Sequence, residues 1–257
     1  MFNNIDTRSV TFNIIFINVV LFAVSSFKPE IGQYLSLHYF FNNHDYLQRL
    51  YAGSINPERF PNLYLLAQEL HDRNALGDFL PVQIISHMFM HGGFRHILYN
   101  MFGLFMLGSL LEKVWGAQRY LLFYMITGFG AVVLHMLVQG ILIYNAIGTI
   151  NPSMALLEAH PEVWGTYFST TVGASGAVFG VLAGFATLFP NTELYIMFIP
   201  IPVKAKYFVG AYIAYEVVQG FGMYAGDNVA HFAHLGGALF GFLLVKYWNR
   251  NNRNSLY

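Results

Sequence analysis

The sequence predicts an all-α fold: a polytopic membrane protein whose six transmembrane helices form a single domain over residues 1–257, with a long first external loop at 28–86. Three observations carry this expectation. Apolar residues make up 56% of the chain, aromatic residues 18% and charged residues only 10%, and the mean hydropathy is +0.46, well above that of ordinary soluble domains. Six apolar runs follow one another, each long enough to cross a bilayer or most of one. The polar side chains with useful chemistry gather at the starts of the second, fourth and sixth of these runs.

The first run, residues 10–27, is interrupted by Asn13 and Asn18, which are expected to bond to neighbouring helices. No small-residue cleavage site follows it, so it reads as a retained span and not a cleaved signal. Residues 28–86 then break the membrane pattern with Pro29, Pro57, Pro61 and Pro81 and with many of the acidic residues. Within them, residues 31–41 and 63–70 mix aromatic and aliphatic residues with charges, a pattern suited to short helices lying in the headgroup region. The second span, 94–114, is closed by Glu112, Lys113 and Arg119, and the third, 120–144, follows a tight polar turn. A second loop, 145–170, carries Pro152, Glu158, Pro161 and Glu162. The fourth span is 171–189, the fifth 203–224 and the sixth 229–248, with Gly226 and Asp227 in the last turn and a polar tail at the end.

Lysine and arginine set the orientation. With the N-terminus cytoplasmic, the inner face holds Arg8, Lys113, Arg119, Lys204, Lys206, Lys246, Arg250 and Arg253, while the short outer loops hold no basic residue. Both termini are therefore expected inside. Spans two, four and six then all run inward from the outer surface, so residues near their starts share one depth, whichever way the bundle is inserted.

That layer contains His91, His96 and Asn100, then Ser175, then His231 and His234. Ser175 sits in Gly173-Ala174-Ser175-Gly176. Taken alone it reads as a small residue that lets another helix come close. A serine becomes a nucleophile only with a base in hydrogen-bond reach, and His234 is the candidate. Gly176, Gly180 and Gly184 form a small face on the Ser175 helix, and Gly237 and Gly241 another on the His234 helix, so the two helices are expected to be direct neighbours. His96 and Asn100, four residues apart on one face, can supply donors to a developing oxyanion together with the Ser175 N–H. His91, before the Gly92-Gly93 break, is expected to support the same region, and His87 and His231 read as loop or packing residues. Glu216 lies well inside the fifth span, where an ionised carboxylate is costly; it is expected to be protonated or bonded to Tyr212 or Tyr215. With no acid placed to orient His234, a Ser-His dyad is expected.

These residues carry a resemblance. His87-Met-Phe-Met-His91-Gly-Gly-Phe-Arg-His96-Ile-Leu-Tyr-Asn100, then Gly173-Ala-Ser175-Gly, then Ala233-His234-Leu-Gly-Gly237, in that order across spans two to six, resemble the rhomboid intramembrane serine proteases. The resemblance implies a rhomboid-like six-helix bundle, Ser175 as nucleophile, His234 as base, His96 and Asn100 in the oxyanion hole, and Gly173 shaping the turn before the serine. It also implies a water-accessible cavity open to the outside, lateral access for a substrate helix near span five, and cleavage close to small residues. Two departures stand out. Val82-Gln83 lie where many members have Trp-Arg, which bears on how the first loop is anchored in lipid. Phe179 stands where Tyr is common, so stacking on His234 is kept and a hydroxyl is lost.

Two other function classes fit parts of the pattern. A catalytically inactive relative that binds membrane helices would be expected to have lost the serine or the histidine, and both are here. A metal or haem protein could use His91, His96, His231 and His234, but no HExxH pair is present and Ser175 would be left without a purpose. No cofactor or metal is expected. The chain has no cysteine, hence no thiolate nucleophile, and with zero net charge nothing suggests a nucleic-acid partner. The expected partners are transmembrane protein substrates and the lipid bilayer, and the expected location is a bacterial inner membrane.

Overall fold

The computed structural model describes residues 9–40, 79–195, 202–222 and 228–251. Helices dominate them. In chain order they are α1 (Val10–Phe27), α2 (Pro29–Leu35), α3 (Gln83–Ser86), α4 (Phe94–Trp115), α5 (Ala117–Ile147), α6 (Met154–Ala159), α7 (Trp164–Tyr167), α8 (Ser175–Leu188), α9 (Ala205–Phe221) and α10 (Asn228–Asn251). A short antiparallel pair, β1 (Glu193–Leu194) with β2 (Val203–Lys204), lies between α8 and α9. The interfacial segment expected at 63–70 lies outside the described residues, and α2 falls within the one expected at 31–41.

α1, α4 and α5 are long and apolar enough to cross a membrane, and α8 is apolar but shorter. α9 and α10 occupy the fifth and sixth apolar runs. The bundle is arranged as a bilayer requires. Large apolar side chains such as Phe16, Phe105, Leu137 and Val218 face outward, while Thr11, Asn18, His87, Asn100, Thr127, His135, Gln139 and Glu216 are buried inside.

The fourth run is helical only from Ser175. Before it, Leu37 and Thr171 exchange backbone hydrogen bonds of 2.9 Å in both directions, and Gly173 adopts φ +127°, a left-handed conformation that side chains oppose. Residues 171–173 are therefore non-helical, Ala174 already turns into the helical region (φ −69°, ψ −7°), and α8, at 14 residues, spans only about 21 Å. α4 carries a feature with no sequence signal, a π-helical stretch at Leu104–Gly108 just past Asn100.

The core forms where α8 packs between α5 and α10. Cβ atoms added at Gly176 and Gly180 would strike Ala131 and Thr127 of α5, and one at Gly184 would meet Phe123 at 2.7 Å. On the other side, Gly237 of α10 lies against the Gly176 carbonyl, and Gly241 lies where a Cβ would meet the Gly180 oxygen at 2.5 Å. The two helices are the direct neighbours that their glycine rows suggested, Gly237 facing Gly176 and Gly241 facing Gly180. The row on α8 also presents its missing side chains to α5, so one row seats two helices.

The ends of α1 and α4 are joined by Glu112. Its carboxylate accepts from Ser9 Oγ (2.8 Å), Val10 N (2.6 Å), Thr11 N (2.9 Å) and Thr11 Oγ1 (2.6 Å), filling the role of an N-cap for α1 from another helix. The expected interhelical role of the asparagines is not what the structure has: Asn18 donates to Ile14 O in its own helix at 2.8 Å, and Asn13 is exposed.

Candidate active site

Ser175 is the first residue of α8, and the chain before it fixes its position. The Gly173 N–H donates to His87 O at 2.9 Å, while a Cβ on Gly173 would lie 2.7 Å from Nε2 of His96. Glycine is required there twice over, by backbone conformation and by the ring against it. Across the seam between α8 and α10, Ser175 Oγ and His234 Nε2 are 2.8 Å apart. The Phe179 ring, one turn along α8, lies parallel to the His234 ring with centroids 4.4 Å apart and an interplanar angle of 4°. The Tyr212 ring of α9 packs tilted against Phe179, with centroids 4.7 Å apart.

The second nitrogen of His234 is also engaged. Its Nδ1 lies 3.0 Å from Glu216 Oε2, and the same oxygen lies 2.6 Å from Nδ1 of His231. This corrects two expectations. Glu216 bonds to the two histidines of α10 and not to Tyr212 or Tyr215, and an acid does stand beside His234. His231, read from sequence as a packing residue, belongs to the same cluster. The pattern was legible in part: Glu216 is five residues before the end of α9, and His231 and His234 are three and six residues after the start of α10. Two packed helices that follow one another in the chain and run antiparallel bring such positions to one level.

His96 and Asn100 line the other side. The His96 ring lies over Gly173 next to Ser175. Asn100 is buried, and its Nδ2 donates to His96 O at 2.9 Å within α4; the carboxamide's second N–H remains for another acceptor. His91 meets the His96 ring edge-on, at 5.0 Å. It is buried, and neither of its ring nitrogens has a hydrogen-bond partner among the described residues. Burial, reinforced by the charge of His96, pushes its pKa down to about 3, so it is a neutral imidazole packed against His96. His87 is buried too, with Nδ1 donating to Gln83 O at 2.8 Å, and burial lowers its pKa to about 4. Its backbone carbonyl, which holds Gly173, gives it a role that its imidazole did not announce. A small cavity behind Ser175 is lined by His87, His135, Thr171 and Ala131, with Thr171 Oγ1 and His135 Nε2 2.9 Å apart. Neither His135 nor Thr171 stood out in the sequence, since a lone polar residue at mid-span is usually a packing residue.

Among the described residues, one group of three side chains could share an ion: Glu216, His231 and His234, with ligand atoms within 4.8 Å of one another. It differs from the four histidines that sequence alone offered for a metal. His91 and His96 lie apart from it, in their own ring contact.

Residues 81–250 match the family model of the Rhomboid domain. Curated relatives include RHOMBOID-like protein 4 of Arabidopsis thaliana, 32% identical over 63% of this chain and 32% of that protein. Rhomboid protein 1, mitochondrial, of Saccharomyces cerevisiae is 26% identical over 74% of this chain and 46% of that protein. Rhomboid protease AarA of Providencia stuartii is 25% identical over 77% of this chain and 66% of that protein. The matches thus span from a third to about two thirds of these relatives' lengths. Since they include plant and mitochondrial proteins beside a bacterial one, the expected bacterial inner membrane gains no support from them, whereas an integral membrane protein does.

Proposed function

The chain belongs to the rhomboid family, and from that premise we propose that it is an intramembrane serine protease, hydrolysing peptide bonds in or near transmembrane segments of membrane-protein substrates. The observation that carries this reading is the 2.8 Å approach of Ser175 Oγ to His234 Nε2. Ser175 attacks the scissile carbonyl carbon while His234 takes its proton; the carbonyl electrons move onto the oxygen. When that intermediate collapses, the peptide nitrogen leaves with the proton from His234, and water, activated by the same imidazole, releases the acyl group from the serine.

The oxyanion has donors within reach. Ser175 opens a 14-residue helix, whose first N–H groups lack intrahelical acceptors and whose dipole favours negative charge. In this reading the His96 ring beside Gly173 and the second N–H of Asn100 complete the set of donors to the charge that develops in the transition state. Phe179 holds the His234 ring in plane. The single six-span domain, both termini cytoplasmic, belongs to the same proposal; α9 and α10 supply the fifth and sixth crossings.

The test is activity-based labelling of the full chain in detergent micelles with a fluorophosphonate, alongside cleavage of a panel of transmembrane-helix substrates. Labelling and cleavage are expected in the wild type, absent in Ser175→Ala and sharply reduced in His234→Ala. Labelling that persists in Ser175→Ala would refute the nucleophile.

A further inference from the structure

We propose that Glu216 is a positioning residue for His234, and that His231 locks the Glu216 carboxylate in place, so that the serine–histidine pair works with an acid behind it. This rests on the protease reading above and deepens it.

The geometry is a chain of three contacts. Glu216 is 2% exposed on α9. Its Oε2 is 3.0 Å from His234 Nδ1, and His234 Nε2 is in turn 2.8 Å from Ser175 Oγ. A carboxylate oxygen only accepts hydrogen bonds. Facing one, Nδ1 of His234 must carry the ring proton, which leaves the lone pair on Nε2 toward the serine. That is the tautomer a general base needs, and a third group commonly selects it. When the Ser175 proton moves to Nε2, the imidazolium stands beside the fixed negative charge of a buried carboxylate, so the charge separation of the step is stabilised without any group having to reorganise. The proton on Nδ1 stays where it is, and Glu216 remains ionised throughout.

His231 explains how one carboxylate oxygen is aimed so well. It lies three residues before His234 on the same helix, hence on the same face, and its Nδ1 approaches the same Oε2 at 2.6 Å. Two donors spaced along α10 fix the oxygen from α9, tying the two helices together at the level of the base. His231 has no hydrogen bond to Ser175: its Nδ1 bonds to Glu216, and its ring meets that of His234 edge-on, with centroids 6.3 Å apart. A buried carboxylate that served only to pair with a partner could be satisfied by His231; the second contact, to the ring that faces the serine, is the one that a purely structural role leaves unexplained.

Glu216→Gln, Glu216→Leu and His231→Gln, made in the full chain, test this by steady-state cleavage of a transmembrane-helix substrate and by nitrogen-15 NMR of the histidine rings. In Glu216→Leu, kcat is expected to fall roughly 10²- to 10⁴-fold with KM within twofold, the scale on which removing the acid acts in triad enzymes. Glu216→Gln should fall between this and the wild type, since a carboxamide oxygen still accepts but carries no charge. It also keeps the test available if the leucine variant fails to fold. His231→Gln should lose about tenfold or less in kcat. The wild-type spectrum should show His234 protonated at Nδ1 at neutral pH. Wild-type kcat in either folded Glu216 variant, an Nε2-protonated His234 in the wild type, or a stoichiometric metal ion held by Glu216, His231 and His234 in the purified protein would overturn the inference. If Ser175→Ala abolishes cleavage while Glu216→Leu leaves kcat unchanged, only this inference fails; if Ser175→Ala also cleaves, the protease reading itself fails.

Discussion

Gly237 is where a single methyl group would separate the two halves of the proposed active site. A Cβ there runs into the Gly176 carbonyl, with the carbonyl carbon 2.6 Å away, where ordinary contacts are 3.4–4 Å. The obstacle is backbone and cannot swing aside, so α8 and α10 must part by about 0.8–1.4 Å. Ser175 is the neighbour of Gly176, and His234 is one helical turn before Gly237. The opening therefore reaches the Ser175–His234 contact nearly in full, stretching it from 2.8 Å beyond about 3.6 Å, outside hydrogen-bond range. Misplacing a catalytic group by about 1 Å costs on the order of 10²-fold. Gly237→Ala is thus expected to lower the rate of fluorophosphonate labelling, and kcat/KM, by about 10²-fold per folded molecule. Folded protein is taken from the monodisperse fraction on size exclusion, and thermal midpoints are recorded in parallel. Gly210→Ala is the control: it lies in α9 with nothing within 4 Å of the added atom, so the labelling rate should hold and stability rise by about 0.5–1 kcal/mol. A folded Gly237→Ala protein labelled at the wild-type rate would refute the reasoning.

Two further perturbations address stability. Glu112→Ala strips the acceptor from four donors at the start of α1, of which Thr11 is buried; a loss of about 2–4 kcal/mol is expected, read as a lower thermal midpoint with unchanged Ser175 labelling well below it, and an unaltered midpoint would contradict the capping role. His87 has a pKa lowered from 6.5 to about 4 by burial, so between those values the unfolded chain binds the proton that the folded one refuses. Its contribution is intact above pH 6.5 and is lost as pH falls through about 4, amounting to about 3 kcal/mol by linkage. The thermal midpoint should therefore drop between pH 6.5 and 4, and His87→Gln should flatten that drop.

Much of the site was legible because its pieces keep a fixed place in the chain. The order of His96, Asn100, Ser175 and His234 at the starts of alternate apolar runs already implied a common depth, and the four-residue glycine spacing implied close helices. What stayed hidden were contacts that depend on rotation about helix axes. The sequence placed Glu216 in the fifth span but gave no sign of which neighbour its carboxylate would face, and nearby Tyr212 and Tyr215 were the obvious partners. It likewise could not show that Asn100 donates to its own helix, or that the fourth run becomes helical only at Ser175.

The sequence by itself determined that the chain belongs in a membrane, where its apolar runs fall, and which polar residues head alternate runs. These follow from composition, run length and order, which no folding can alter. Only the tertiary structure decided which side chains touch: that Gly176 offers its carbonyl to Gly237 and its bare Cα to Ala131, and that one oxygen of Glu216 meets both His231 and His234. Run length fixes how deep a residue lies, whereas contact also requires the azimuth of each helix, and in an apolar bundle that is set by packing among all its neighbours at once.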